Sequence, residues 1–373
     1  WITTILTAIQ GGEQRFALLT WPRRSLAYDF VPLTRSDLNY INRILFKNLH
    51  NTLGFPFFQD KTLLTSQASS GQKILHVEST LYRNFEIGAP CMLLASRSSY
   101  EVGSIAALST NQITLEDNLS HTWPVGTMIY PVLIGKVNSI EEIQISNSRY
   151  GGISILANED YDDAITRHTP NISMFQIYKD FPVFHFRPKL GSLKQGLSHP
   201  YDYLAFFGKS YSESTYLETS IPLEGNFLAR EKQTIWQYLD FFDNHMGRWG
   251  NFWIPSFEKD FAIAEPFDID DIELTIEPID YSSYWVDSET ARHVAIRWPD
   301  DTLICREIVD HGTDSITLDN PLGKACDNPG ILLSSFLIFG RFNIDEIEMK
   351  YSNFDFQAEA DISFLSLPLE TPA

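Results

Sequence analysis

Residues able to carry catalysis are few in this chain, and their spacing argues against it. Gly208-Lys209-Ser210 ends like a phosphate-binding loop, but that pattern needs a Gly five residues before Gly208 and Tyr203 stands there. Asp268, Asp270, Asp271 and Glu273 gather in FDIDDIE without the spacing, central Gly or closing Glu of a calcium loop. Their alternation with Ile reads instead as a half-buried strand with an acidic outer face. The four acids of ANEDYDDA (157–164) read as a solvated loop. Nine histidines are scattered with no HExxH motif. No GxSxG elbow occurs, and no pair of carboxylates divides the work of acid and base. A hydrolase acting on cell-wall polymer would have to rely on isolated acids such as Glu142, Asp160 or Asp310. The expectation is therefore no catalytic, metal or cofactor site.

What remains is recognition chemistry. EQRFALLTWPRRSLAYDF (13–30) sets Glu13, Gln14, Arg15, Trp21, Arg23 and Arg24 close together. The planar guanidinium fork suits bidentate pairing with carboxylates. These six residues form a candidate subunit interface, and removing the three arginines is expected to weaken assembly and leave the fold intact. Aromatic residues make up 13% of the chain and cluster in FPFF (55–58), FFDNHMGRWGNFW (241–253) and DYSSYW (280–285). Phe57, Phe58, Trp249 and Trp253 are a candidate aromatic contact surface for another subunit or a stacked sugar.

The 373 residues, 43% of them apolar, suffice for about two domains with substantial cores. No stretch of about 18 uncharged apolar residues is present, and the amino terminus lacks a signal-peptide pattern, so the chain reads as soluble and outside the usual secretory route. Cys91, Cys305 and Cys326 make no disulfide framework and no CxxC zinc spacing, and read as reduced thiols. With 48 carboxylates against 28 Lys and Arg, the net charge of -20 argues against a duplex-binding surface, which must neutralise phosphates. It suits a surface past which DNA slides without sticking.

The elements that must position these residues occur twice. VGSIAALSTNQITLEDNL (102–119) matches CREIVDHGTDSITLDNPL (305–322) as strand, polar turn and strand, Ile113 falling on Ile316. His311 and Cys305 then fall on the apolar Leu108 and Val102, so core packing is the reading for both. VNSIEEIQI (137–145) matches RFNIDEIEM (341–349), and YDFVPLTRSDLNYINRILFKN (28–48) matches GNFLAREKQTIWQYLDFFDN (225–244). Helical stripes run through Leu38, Ile41, Leu45 and Leu49 and through Ile235, Tyr238, Phe242 and Met246. Each helix is followed by Gly, aromatics around a Pro, and Asp. The order is kept throughout. The expected fold is mainly β (α+β): an internally duplicated module of antiparallel β-sandwich or barrel with one amphipathic helix per copy. The copies span 1–165 and 200–373, joined by an extended docking arm over 166–199 whose phenylalanines are too apolar for a free linker.

GGEQRFALLTWPRRSLAYDF (11–30) resembles the amino-terminal motif of the distal tail and related minor tail proteins of long-tailed bacteriophages. Glu13-Gln14-Arg15 leads through Pro22-Arg23-Arg24 into the strand at Tyr28 to Phe30 and a helix at about 36–50, then FPFFQD. The likeness covers roughly the first 60 residues, and in the second copy only the helix and FWIPSFEKD. There YSESTYLETSIPLEGN (211–226) has acids and no arginine. The resemblance implies a structural virion protein, a ring-forming adaptor joining the tail tube to the hub and tail-tip complex around the DNA channel. Its implied partners are the tail tube protein, hub and tail-tip proteins and the tape measure protein. Its implied place is the tail tip of the virion, after assembly in the host cytoplasm, with no membrane and no specific nucleic-acid contact although DNA passes through the lumen. A trimer with pseudo-six-fold symmetry and a hexamer both fit such a ring. The other reading is a peripheral receptor- or carbohydrate-binding tail-tip protein, which the aromatic clusters favour.

Overall fold

The computed structural model describes residues 1–7, 12–96, 99–145, 150–160, 165–199, 202–206, 209–214, 219–284, 291–352 and 357–367. Trp285, residues 161–164 of the acidic loop and Gly208 lie outside them. By compactness the chain divides into two units. The N-terminal unit is built on Trp21–Thr169, and the C-terminal unit on Trp1–Thr20, Pro170–Ser352 and Gln357–Ala373. The opening residues, expected within 1–165, thus belong to the C-terminal unit, as do most of the residues expected as an arm over 166–199. The named strands pair antiparallel, with one parallel bridge between Val183 and Trp253, and the fold is mainly β.

The chain opens with a hairpin of β1 (Thr3–Thr7) and β2 (Glu13–Ala17). The N-terminal unit follows with β3 (Ser25–Thr34), α1 (Arg35–Asn48), β4 (Leu53–Pro56), β5 (Thr62–Leu63), β6 (Ile74–His76), β7 (Pro90–Ser96), β8 (Ser99–Ser109), β9 (Gln112–Leu115), β10 (Met128–Ile145) and β11 (Tyr150–Glu159). Thr34 caps α1 by accepting from the Asp37 amide, and Lys47 sits in the last turn where the helix dipole favours a cation. Leu38 and Leu45 are buried against Ile153 and Ile155 of β11. The helix stops at Asn48, so Leu49, expected in the buried stripe, is 47% exposed.

The strand order of this unit is β3-β11-β10-β7-β8-β9-β6, with β4 and β5 also on β10. The 18-residue β10 spans two structures. Its first residues pair with β5 and β7, and β5 returns to β6 through the Leu64–Val77 bridge and the bonds from Thr65 N to His76 O and Glu78 N to Leu63 O. That closes a small barrel around Leu64, Leu75, Leu93, Ile105, Ile113 and Trp123. Its later residues pair with β4 and β11, whose sheet carries α1.

The C-terminal unit contains β12 (Ile177–Tyr178), β13 (Phe181–Pro182), β14 (Lys194–Gln195), a hairpin of β15 (Asp202–Phe206) and β16 (Lys209–Glu213), β17 (Pro222–Ala229), α2 (Lys232–Asn244), β18 (Asn251–Pro255), β19 (Glu273–Thr275), α3 (Tyr281–Tyr284), β20 (His293–Arg297), β21 (Leu303–His311), β22 (Ser315–Leu318), β23 (Leu333–Phe342), β24 (Lys350–Tyr351) and β25 (Ala358–Ser366). After β14 its order is β17-β25-β23-β20-β21-β22-β19, with β18 also on β23. Along the main path the order of its seven strands parallels β3-β11-β10-β7-β8-β9-β6, with β18 in the place of β4, whereas β14 and β24, which pairs with β25, have no counterpart there and a single bridge at Phe261 stands where β5 pairs. Here too the ring closes, through the Phe261–Ser334 and Ile263–Ile276 bridges, around Phe261, Ile263, Leu274, Ile296, Ile316 and Phe336. Helix α2 buries Ile235, Tyr238, Phe241 and Phe242 on β17, β23 and β25. The arm supplies Phe175, Phe184 and Phe186 to this core, with Phe184 ringed edge-on by Phe227, Phe241 and Phe364.

Gly135 on β10 and Gly340 on β23 fill the same place in the two units. A Cβ on either would strike a backbone carbonyl of the neighbouring strand, that of Asn158 or Leu365. Gly135→Ala and Gly340→Ala should each destabilise their own unit by about 1–3 kcal/mol through forced backbone shifts. Urea melts followed by hydrogen exchange on β11 and β25 would locate the damage.

Candidate functional site

The strip over residues 13–30 divides between two networks. In the hairpin, side chains alternate. Thr3, Glu13 and Arg15 face the C-terminal unit, whereas Ile2, Leu6, Phe16 and Leu18 are exposed on the other face with Gln14. Glu13 receives two hydrogen bonds from Arg341 of β23, Nε to Oε2 and Nη2 to Oε1, each 2.8 Å. Asp345 accepts from the Thr3 amide at 3.0 Å, the Thr3 hydroxyl at 2.8 Å, and the Arg248 amide and Nε at 3.0 Å each. Burial alone would raise the Asp345 carboxyl, but these donors outweigh it and hold it below the usual range. Arg15 Nη1 donates to the Trp249 carbonyl at 2.7 Å, and Trp1 Nε1 to Asp243 at 2.9 Å. The hairpin is thus clamped across the turn after α2. Glu13→Ala leaves the Arg341 guanidinium, whose side chain is 3% exposed, without its carboxylate. We expect a loss of about 3–5 kcal/mol from the clamp and faster proteolysis at residues 1–20, read by limited digestion.

Arg24 belongs to the second network, within the N-terminal unit. Its two terminal nitrogens grip Glu86 at 2.9 and 2.8 Å, and Nη2 also reaches Glu159 at 2.7 Å. Arg167 meets Glu159 at 2.8 Å, so two arginines balance two glutamates in a nearly dry site. Burial opposes the charge on Arg24, but hydrogen bonding to Glu159 and the charge of Glu86 prevail and raise its pKa. For Glu159 burial opposes ionisation as well, and the two arginines overcome it and hold the group below its ordinary value. Phe57 lies 5.9 Å from the guanidinium, in cation–π contact.

These placements correct part of the sequence reading. Arg15 and Arg24 bond within their own chain, so the expectation that all three arginines can be removed with the fold intact is revised for Arg24, whose loss would leave Glu86 and Glu159 underpaired. Arg23 and Gln14 are exposed, and Trp21 is 37% exposed. Of the four aromatics, Phe58 and Trp249 are exposed, whereas Phe57 and Trp253 are buried and offer no contact surface. Trp253 stands at the centre of a small core with Val183, Cys305 and Phe339, and its Nε1 donates to the Tyr178 carbonyl at 2.9 Å. Glu86, Glu159, Arg341 and Asp345 carry no local motif. Apart from Arg167, close to Glu159 in sequence, the ionic partners of these four lie far along the chain, from 62 residues for Arg24 and Glu86 to 328 for Glu13 and Arg341, separations no spacing pattern spans.

Phe58 borders an apolar groove of ≈ 640 Å³ in the N-terminal unit, between α1 and the barrel rim, lined by Phe30, Leu33, Tyr40, Ile41 and Met128. The groove, whose lining also includes Asp37, and the outer face of the opening hairpin both present contiguous apolar surface to solvent. Among the described residues no three His, Cys, Asp or Glu side chains gather as a metal site, and no helix is long and apolar enough to cross a membrane. No family model matches the chain, and no curated protein is significantly similar to it.

Proposed function

We propose that this chain is a structural protein of a long-tailed phage tail, a ring-forming adaptor of the distal-tail type that joins the tail tube to the hub and tip around the DNA channel. The observation that carries the reading is the repetition along the chain of one element order, hairpin, strand, helix, edge strand and small barrel. We read it as a duplicated module. Two modules per chain let three chains offer six similar positions, which suits a junction between six-fold and three-fold assemblies. The charge of -20 fits a lumen through which a polyanion passes without sticking. The resemblance over residues 11–30 supports the same assignment, with Arg23 and the outer hairpin face left for contacts between subunits and with the tail tube, hub and tape measure proteins.

A second reading, a receptor- or carbohydrate-binding tail-tip protein, draws on one observation: the groove beside Phe58 and Tyr40 offers ring faces on which a sugar stacks. Co-expression with a tail tube protein separates the two. Co-purification supports the adaptor, and its absence together with binding on a glycan array supports the tip protein.

A further inference from the structure

In the C-terminal unit the arm covers one edge of the sheet. Pro188 bridges Phe227, Lys189 N donates to the Asn226 carbonyl at 2.7 Å, β14 pairs with β17, and Gly196 N donates to the Pro222 carbonyl at 2.9 Å. Just upstream, Phe184 meets Phe227 edge-on at 5.4 Å, and Phe186 lies 4.2 Å from Tyr238 of α2. One extended segment thus adds a strand and fills the space beside the helix. In the N-terminal unit β3 takes the place of β17. Counting along the strand registers from Gly135 and Gly340 sets Phe30 on Phe227, Phe58 on Phe257, Leu94 on Arg297 and Met128 on Leu333. The rings agree, with Phe30 edge-on to Phe58 at 6.4 Å and Phe227 edge-on to Phe257 at 6.0 Å.

Here the edge is open. Among the described residues no strand pairs with the outer side of β3, where Ser25, Ala27 and Asp29 match Pro222, Glu224 and Asn226. Leu26 and Phe30 are half-buried, whereas their counterparts Leu223 and Phe227 are wholly buried. Beside the edge lies the groove of Phe30, Ile41, Phe58 and Met128, the counterpart of the wall that Phe257 and Leu333 present to the arm. One substitution changes its shape. A Cβ on Gly225 would lie 3.2 Å from Pro188, and at this position β3 has Tyr28. The Tyr28 ring, 5.5 Å from Phe30 and 5.9 Å from Phe58, takes the place of Phe184. The place of Phe186, beside Ile41, is left.

We propose that the N-terminal unit binds an extended segment of another protein, which adds a strand antiparallel to β3 and sets one aromatic side chain into the groove at Ile41 and Phe58. An unpaired edge beside an apolar groove is what strand addition uses: main-chain bonds hold the peptide and the groove selects its side chain. The site defines the chemistry of the segment. Leu94 stands where Arg297 donates to the His185 carbonyl, so this groove grips by apolar contact, and the residue that faces Tyr28 must be small. The inference uses the likeness of the two units, which the adaptor reading shares, and does not depend on a ring.

The probe is a synthetic peptide of residues 182–196 in which Phe184→Ser and Pro188→Gly clear the space that Tyr28 fills and Phe186 is kept. Titrated into the full chain, whose own arm already occupies the C-terminal site, it should bind one to one and slow hydrogen exchange at the amides of Ala27 and Asp29. Phe186→Ser in the peptide should weaken binding by about tenfold or more. Two variants of the chain, each at an exposed position, should do the same. Val125→Asp charges the groove rim, and Ala27→Pro removes an outward amide from an edge strand, where proline is tolerated. Absence of binding, binding indifferent to all three changes, or protection on β17 in place of β3 would overturn the proposal. Glycan binding that Val125→Asp abolishes, without any peptide binding, would overturn it in favour of a sugar. None of these results alters the number of copies in the assembly, so failure here and failure of the ring are read separately.

Discussion

Arg24→Ala is expected to destabilise the N-terminal unit by about 3–5 kcal/mol, the usual result of removing one partner from a buried ionic network. The loss would be large because two carboxylates, Glu86 and Glu159, face this one guanidinium, and Arg167 alone cannot satisfy both. Arg23→Ala, one residue away and exposed, should shift the melt by less than about 0.5 kcal/mol. Chemical denaturation of the pair checks the contrast, and equal effects would mean that Arg24 is solvated. Acid should erode the same network. Glu159 is held below its ordinary value in the fold, so its stabilisation is complete above the usual carboxylate range near pH 4 and is lost as pH falls through the lowered folded value.

The C-terminal unit should fail earlier on acidification. Burial pushes His185, His245 and His293 down from 6.5 to about 4 each, and all three lie in this unit. Nearby cations add to burial at His185, through Arg297, and at His293, through Lys179. At His245 the Phe241 carbonyl, 2.6 Å from Nδ1, works against it. Each folded value lies below the unfolded one. Stability is therefore complete above about pH 6.5 and is lost as pH falls toward 4, by up to about 1.4 kcal/mol per pH unit for each histidine. Together these make several kcal/mol over a range in which the Arg24 network is still intact. Hydrogen exchange at pH 7 and pH 5 should find protection falling on β17, β23 and β25 and held on β3, β10 and β11. The reverse pattern would place the histidines in water.

The fold was largely legible in the sequence because its cores are set by local pattern. Both helices include the start of the expected stripes, α1 beginning at Arg35 before Leu38 and α2 at Lys232 before Ile235, and strand pairs lie within both 102–119 and 305–322. Boundaries were less legible. Met246 was counted in the second stripe, but its backbone turns left-handed just past α2, and periodicity does not register such a turn. The clamp was not legible at all. Glu13 reads as the start of an interface motif, and only folding brings Arg341 to it. Phe57 and Phe58 are neighbours with opposite fates, since one side chain packs beneath Arg24 and the other borders the groove. Composition has no means of telling them apart.

The central claim is a ring built from two-module chains, and its most direct test is the number of copies in the assembly. Native mass spectrometry of the purified 42.7 kDa chain should give a closed species of three copies, the duplicated module imitating six-fold symmetry, or of six in a conventional ring. A chain that remains monomeric across the accessible concentration range would contradict the adaptor assignment.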